Sequence, residues 1–352
     1  MWLGEKYSEF HPIIGKYLEP NIRGELTHPE WGDYSIQANS HGFRCDHDFL
    51  PSKKKGISRI LLFGDSNAFG DGVSYEASFA GKLEKLNSRI EIYNFAMTGF
   101  AVDQQYLCYQ EFARKLEHDL IIIAPTIETI RKLTARYILA RDEDGVMRCL
   151  TRPYFDLVDG KLAQGHIPLR YEFIDMDALP QAEKDTVYKA NLFADVRKLL
   201  DNARRPAQKP KKSPRLIGKL KRLLKKTQIK DVITKVRPYP EYDNPDTPAW
   251  KIMRAIFTEW SANSEKPLLL IPLPSFIYIK ERADARNYQM RFGEIIKETS
   301  CSLYDPLPDL QKLSMEQRRK LYYLEGHLTP QGHAWMAKKM SPHMRRILKK
   351  SS

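Results

Sequence analysis

"LLFGDSNAFGDG", residues 61–72, runs three apolar residues into Gly64-Asp65-Ser66, with further glycines at 70 and 72. A short apolar run entering a glycine turn is the pattern of a buried strand, here residues 57–63. Outward from it, 77–87 reads as a helix, 90–96 as a second strand and 102–118 as a second helix. "DLIIIAP" (119–125) is a third strand, stopped by Pro125. Strands alternating with helices of this length predict a parallel sheet in an α/β fold.

The rhythm resumes late, with a helix over 248–262, a strand at 267–274, a helix over 282–298, a strand at 301–306 and a helix over 330–348. That makes five strands. The gap between the third and fourth is too long for one crossover, so part of it is an insertion. Within it, Asp159-Gly160 in "YFDLVDGKLAQG" (154–165) predicts a hairpin turn, and a helical stretch (181–203) follows. The expected division is an N-terminal extension (1–56), a body of 57–139 with 246–348, and an inserted cap (140–245).

Of the 352 residues, 42% are hydrophobic, enough for a sizeable core. The N-terminus lacks the basic start and apolar core of a signal peptide. The four cysteines are scattered without paired spacing, so neither a disulfide framework nor a metal site is expected. A cytoplasmic protein without a cofactor is the reading. The net charge of +13 is local: residues 204–237 hold fourteen Lys or Arg and one acid, Asp231.

In an open α/β sheet, ligands bind at the carboxyl ends of the strands. Ser66 stands there, three residues beyond Phe63, at the start of a helix whose first N–H groups are free. A serine so placed can attack, and its own N–H can help hold an oxyanion. After the second strand, Gly99 in "NFAMTGFAVDQ" (94–104) offers a bare backbone N–H toward the same crevice. Before the last helix, Thr329-Pro330 reads as an N-cap and first helical residue. His327 therefore lies in the loop leading in, placed to act as a general base with Glu325 orienting its ring. His333, inside the helix, is expected to cap or pack.

Together, "GDSNAFGDG", "NFAMTG" and "EGHLTPQGH" resemble the serine, glycine and histidine blocks of the SGNH (GDSL) hydrolases. "NSHGFR" (39–44) is similar to an extension of bacterial members linked to surface-polysaccharide metabolism. The resemblance implies a three-layer, flavodoxin-like sandwich and acyl transfer through an acyl-serine. Ser66 would be the nucleophile, His327 the base and Glu325 the acid, with Ser66, Gly99 and Thr129 in the oxyanion hole and Asp65, Asn67 and Glu128 lining the site. Two departures stand out. "APTIETIRK" (124–132) lacks the family's Asn, leaving Glu128 and Thr129 as the nearest polar residues, and the acid is Glu325 where the family has Asp at position 324. The implied activity is an esterase removing O-acyl groups, O-acetyl above all, from a carbohydrate. Its rivals are an O-acyltransferase with the same residues and a weakly catalytic binding protein.

Within the basic segment, Leu216, Ile217, Leu220, Leu223 and Leu224 share a helical stripe ringed by Lys and Arg. Such a basic amphipathic helix suits an anionic membrane face, here the inner one, or an acidic polysaccharide. Nucleic acid is disfavoured, since the segment has no aromatic residue to stack on bases.

Overall fold

The computed structural model describes residues 7–28, 32–142, 144–191 and 237–351. Two N-terminal hairpins, β1 (Ser8–His11) with β2 (Gly15–Leu18) and β3 (Arg23–His28) with β4 (Gly32–Gln37), come first. Then come β5 (Ser58–Gly64), β6 (Ile90–Asn94) and β7 (Leu120–Ala124). Between β7 and the next strand of the sheet lie hairpins β8 (Tyr137–Arg141) with β9 (Met147–Thr151) and β10 (Tyr154–Val158) with β11 (Lys161–Gly165). β12 (Leu268–Leu270) and β13 (Ser302–Leu303) complete the chain's strands among the described residues.

The central sheet runs β6-β5-β7-β12-β13, every pair parallel. Counting its own strands in chain order, this is the flavodoxin-like 2-1-3-4-5 arrangement, whose order reverses between β5 and β7. Ile60–Phe63 and Leu120–Ile123 are at most 1% exposed, as strands covered on both faces must be.

The covering helices include α1 (Ser66–Phe69), α2 (Phe79–Leu86), α3 (Val102–Cys108), α4 (Pro248–Asn263), α5 (Phe276–Ile279), α6 (Arg286–Glu298), α7 (Met315–Leu321) and α8 (Pro330–Ser351), with a short helix at Leu307–Gln311. α2 packs on α8, while α3 and α6 pack on α4. Right-handed crossovers put these two groups on opposite faces of the sheet. The expected three-layer α/β architecture is present.

Several element ends differ from expectation. The helix from Val102 ends in a single wide turn, Tyr109–Ala113. Pro272 and Pro274 remove ladder donors and cut the fourth strand to three residues. The stretch 282–285 is not helical, because α6 starts at Arg286. The fifth strand shrinks to two residues, and α8 continues through Pro342 to Ser351. The 154–165 hairpin forms with Asp159 and Gly160 both at positive φ, as a two-residue primed turn requires. Residues 181–191 are helical. The remainder of that stretch, and the basic segment apart from Arg237, lie outside the described residues.

Buried arginines fasten the flanking segments to the sheet. Arg44, within "NSHGFR", is fully buried and donates to the carbonyls of Ser35 (3.2 Å), Phe69 (3.2 Å), Gly70 and Val73. It thereby gathers the β3–β4 hairpin and the loop after Ser66 onto one guanidinium. Arg152, between β9 and β10, reaches both oxygens of buried Asp103 in α3 at 2.8 Å. Phe155 joins the main core, whereas Cys149, Leu179 and Val187 form a separate small one.

Candidate active site

The site forms where the strand order reverses. At Gly64 any side chain would meet Ala68 Cβ at 2.3 Å and the Ala124 carbonyl oxygen at 2.8 Å, so the chain passes there only as glycine. Asp65, 2% exposed, caps α1 by accepting the Asn67 N–H (3.2 Å), and its second oxygen accepts the Thr126 N–H (2.7 Å). Burial pushes the Asp65 carboxyl above the usual carboxylate range, opposed by these bonds. Asp65 therefore ties the end of β5 to the end of β7. It braces Ser66 from below.

Ser66 Oγ lies 2.8 Å from His327 Nε2, across 261 residues of chain. The other ring nitrogen, Nδ1, lies 3.2 Å from Glu325 Oε1, which also accepts the His327 backbone N–H at 3.3 Å. An acid two residues before the histidine thus grips both its ring and its backbone. The loop between them reverses at Gly326, whose φ of +103° is open to glycine and costly for other residues. Tyr323 N–H donates to the His327 carbonyl (2.8 Å) and Gly326 N–H to the Tyr323 carbonyl (3.0 Å). The side chains of Glu325 and His327 are 6% and 18% exposed, so the pair is largely shielded while the ring keeps an open edge.

Asn67 connects this loop to the serine. Its Oδ1 accepts the Leu328 N–H (3.2 Å) and its Nδ2 donates to Thr126 Oγ1 (3.4 Å). Thr329 caps α8 as expected, accepting the Gly332 N–H at 3.1 Å. His333 packs, as expected: it is fully buried, accepts the Phe79 N–H at Nδ1 (3.1 Å), and burial pushes its pKa down to about 3.

Two backbone donors, one in the serine block and one in the glycine block, stand without partners: among the described residues, neither the Ser66 nor the Gly99 N–H has a hydrogen-bond acceptor in the protein. The glycine loop is held from both sides. Thr98 Oγ1 donates to buried Asp71 (3.0 Å to each oxygen), and Lys132 Nζ donates to the Gly99 carbonyl (2.7 Å). Thr129 requires a correction: its hydroxyl donates to the Thr126 carbonyl at 2.8 Å, one turn back, and is not directed at an oxyanion. Glu128 accepts from Tyr239 O–H (3.2 Å), and burial, then the charge of Asp65, pushes its carboxyl upward. The charges of Lys132 and His327 oppose that upward shift.

Thr126, Asp71, Thr98, Lys132 and Tyr239 escaped the sequence reading. Asp71 lies inside the quoted serine block and Thr98 beside Gly99, so proximity to the motifs was the available signal. Tyr239 arrives from the far end of the insertion and had none. A group of potential metal ligands, Cys45, Asp46 and His47, has donor atoms within 4.8 Å of one another. It sits beside β6 and α2, where Cys45 Sγ approaches the Ile92 carbonyl and His47 approaches Glu84. No helix among the described residues is long and apolar enough to cross a membrane.

The sequence matches no protein-family model and no curated protein. Among solved structures, the chain is similar to a member of the lipolytic G-D-S-L family from Veillonella parvula, with 12% identity over 82% of this chain and 100% of that one at a TM-score of 0.39. It is similar to a lipase/acylhydrolase from Enterococcus faecalis, with 8% identity over 82% and 96% at 0.37. It also resembles a two-domain esterase active on acetylated mannans, with 10% identity over 86% of this chain and 51% of that one at 0.35. These are loose likenesses, and what the chain does is read from its own site.

Proposed function

We propose that the chain is a serine esterase working through an acyl-serine intermediate. The observation that carries this reading is the continuous line Ser66 Oγ, His327 Nε2, His327 Nδ1, Glu325 Oε1, with steps of 2.8 and 3.2 Å. Glu325 holds the proton on Nδ1, which leaves Nε2 free to take the Ser66 proton. Ser66 Oγ then attacks the ester carbonyl, and the N–H groups of Ser66 and Gly99 receive the developing oxyanion. Collapse of the tetrahedral species expels the alcohol, which takes its proton from His327 Nε2. Water, activated by the same imidazole, releases the acid and restores Ser66.

A carbohydrate O-acyl group, acetyl first, is the substrate class we assign, on the resemblance of the three blocks and of "NSHGFR". The test is acetate release from 4-nitrophenyl acetate and from acetylated polysaccharide. Wild type should turn over, and Ser66→Ala and His327→Ala should each lose at least about 1,000-fold in kcat with unchanged circular dichroism. Acetyl appearing on an added sugar in place of free acetate would instead establish transfer. No reaction by wild type in either format would leave a binding protein on a hydrolase scaffold.

A further inference from the structure

Beside the histidine loop lies a pocket of about 370 Å³, within the range of small-molecule sites, about 300–1,000 Å³. Phe276, Lys280 and Arg282 line it from α5 and the turn after it, at the carboxyl end of β12. Met315 and Arg319 come from α7, and Tyr322 and Leu324 from the loop that carries Glu325 and His327. Three lining residues are cations and none is an acid. Nearby carboxylates are engaged elsewhere: Glu281 pairs with Arg318 (2.6 Å) and Glu316 with Lys320 (3.1 Å). Neither Arg282 nor Arg319 has a side-chain partner among the described residues, and both are exposed.

The pocket's walls are tied to one another and adjoin the loop that carries His327. Arg318, 4% exposed, donates to the carbonyls of Ile279 (2.9 Å) and Gln311 (2.7 Å), pinning α7 to α5. A Cβ built on Gly326 would lie 3.7 Å from Phe276 Cβ, so the loop's turning point runs alongside the pocket wall. Apolar surface from Phe276, Tyr322 and Leu324 offers a face for a ring, with the Phe276 and Tyr322 centroids 6.0 Å apart. The guanidinium groups offer planar, charge-assisted bonding to a carboxylate or phosphate.

We infer that this pocket is a subsite for an anionic substituent, a carboxylate or phosphate carried by the acylated sugar, which it holds while His327 works on the ester. The inference rests on the esterase reading and names the charge of its substrate. An anion held here anchors the substrate without touching the reacting groups, so the contact should appear mainly in KM.

The experiment compares acetylated methyl hexosides bearing a 6-carboxylate, a 6-phosphate or neither, with wild type and the Arg282→Ala/Arg319→Ala double variant. 4-Nitrophenyl acetate, too small to span both sites, is the internal reference. Wild type should favour at least one anionic ester by about 10- to 100-fold in kcat/KM over the neutral one. The double variant should lose that preference through KM while hydrolysing 4-nitrophenyl acetate at the wild-type rate. Which anion shows the preference identifies the substituent. Equal rates on all three esters by wild type, or a preference untouched in the double variant, overturns the inference. If wild type hydrolyses nothing, the esterase reading fails separately. Calorimetric titration of the deacetylated uronide and sugar phosphate then decides: binding abolished in the double variant keeps the subsite, and no binding to wild type removes it.

Discussion

Truncating Asn67 to alanine removes the acceptor for the Leu328 N–H and the donor to Thr126, while Ser66, His327 and Glu325 all remain. The histidine loop then has one bond fewer to the serine's helix, and the Ser66–His327 approach loosens. Small misplacements of reacting groups cost rate steeply. We expect kcat on 4-nitrophenyl acetate to fall about 10- to 100-fold, KM to change little, and Asn67→Asp to recover part of the loss through its retained Oδ1 acceptor. A fall in thermal stability with kcat unaltered would make Asn67 a packing residue. The Ser66–His327–Glu325 line was legible in the sequence because each residue sits within a short local pattern. A glycine turn follows a strand at Ser66, and an N-cap and proline follow His327. Thr126 and Tyr239 were not legible, since a side-chain bond between distant loops leaves no mark on the residues next to it.

Among elements, the contact between the β9–β10 connection and α3 has chemical content. Arg152 and Asp103 are 1% and 0% exposed, and their two 2.8 Å bonds are joined by bonds from Arg152 to Gln104 (3.2 Å) and the Ala135 carbonyl (2.9 Å). Arg152→Met leaves the Asp103 carboxylate buried without its cation, which typically costs about 3–5 kcal/mol. Denaturant unfolding should show a loss of that size, and the Asp103→Asn/Arg152→Met pair should recover much of it. Strand and helix order was readable from periodicity alone, because β5 and β7 are continuous apolar runs. Their partners β12 and β13 were overestimated, since prolines and loop hydrogen bonds, rather than hydrophobicity, decide where those strands stop. The turn at 159–160 was exact to the residue for the opposite reason: a primed turn constrains φ locally, and Asp-Gly meets that constraint.

Across the whole molecule, stability carries a pH dependence traceable to His333. Burial first, then the Arg44 charge, hold its pKa at about 3, against about 6.5 in an unfolded chain. The folded state refuses a proton that the unfolded state accepts, so this group's contribution is complete above pH 6.5 and is lost as pH falls toward 3. The slope is about 1.4 kcal/mol per pH unit at most. Urea unfolding at pH 7 and pH 5 should therefore show a drop about 1–2 kcal/mol larger in wild type than in His333→Gln, whose amide can still accept the Phe79 N–H. Equal drops would mean that the ring is protonated within the fold.

The 261-residue separation between Ser66 and His327 has a consequence for synthesis. Ser66, its brace from Asp65 and the Arg44 strap are all synthesised well before His327. On the esterase reading, a chain cut between Ser66 and His327 carries its serine with nothing to deprotonate it. The chemistry then waits for the loop before α8 to dock.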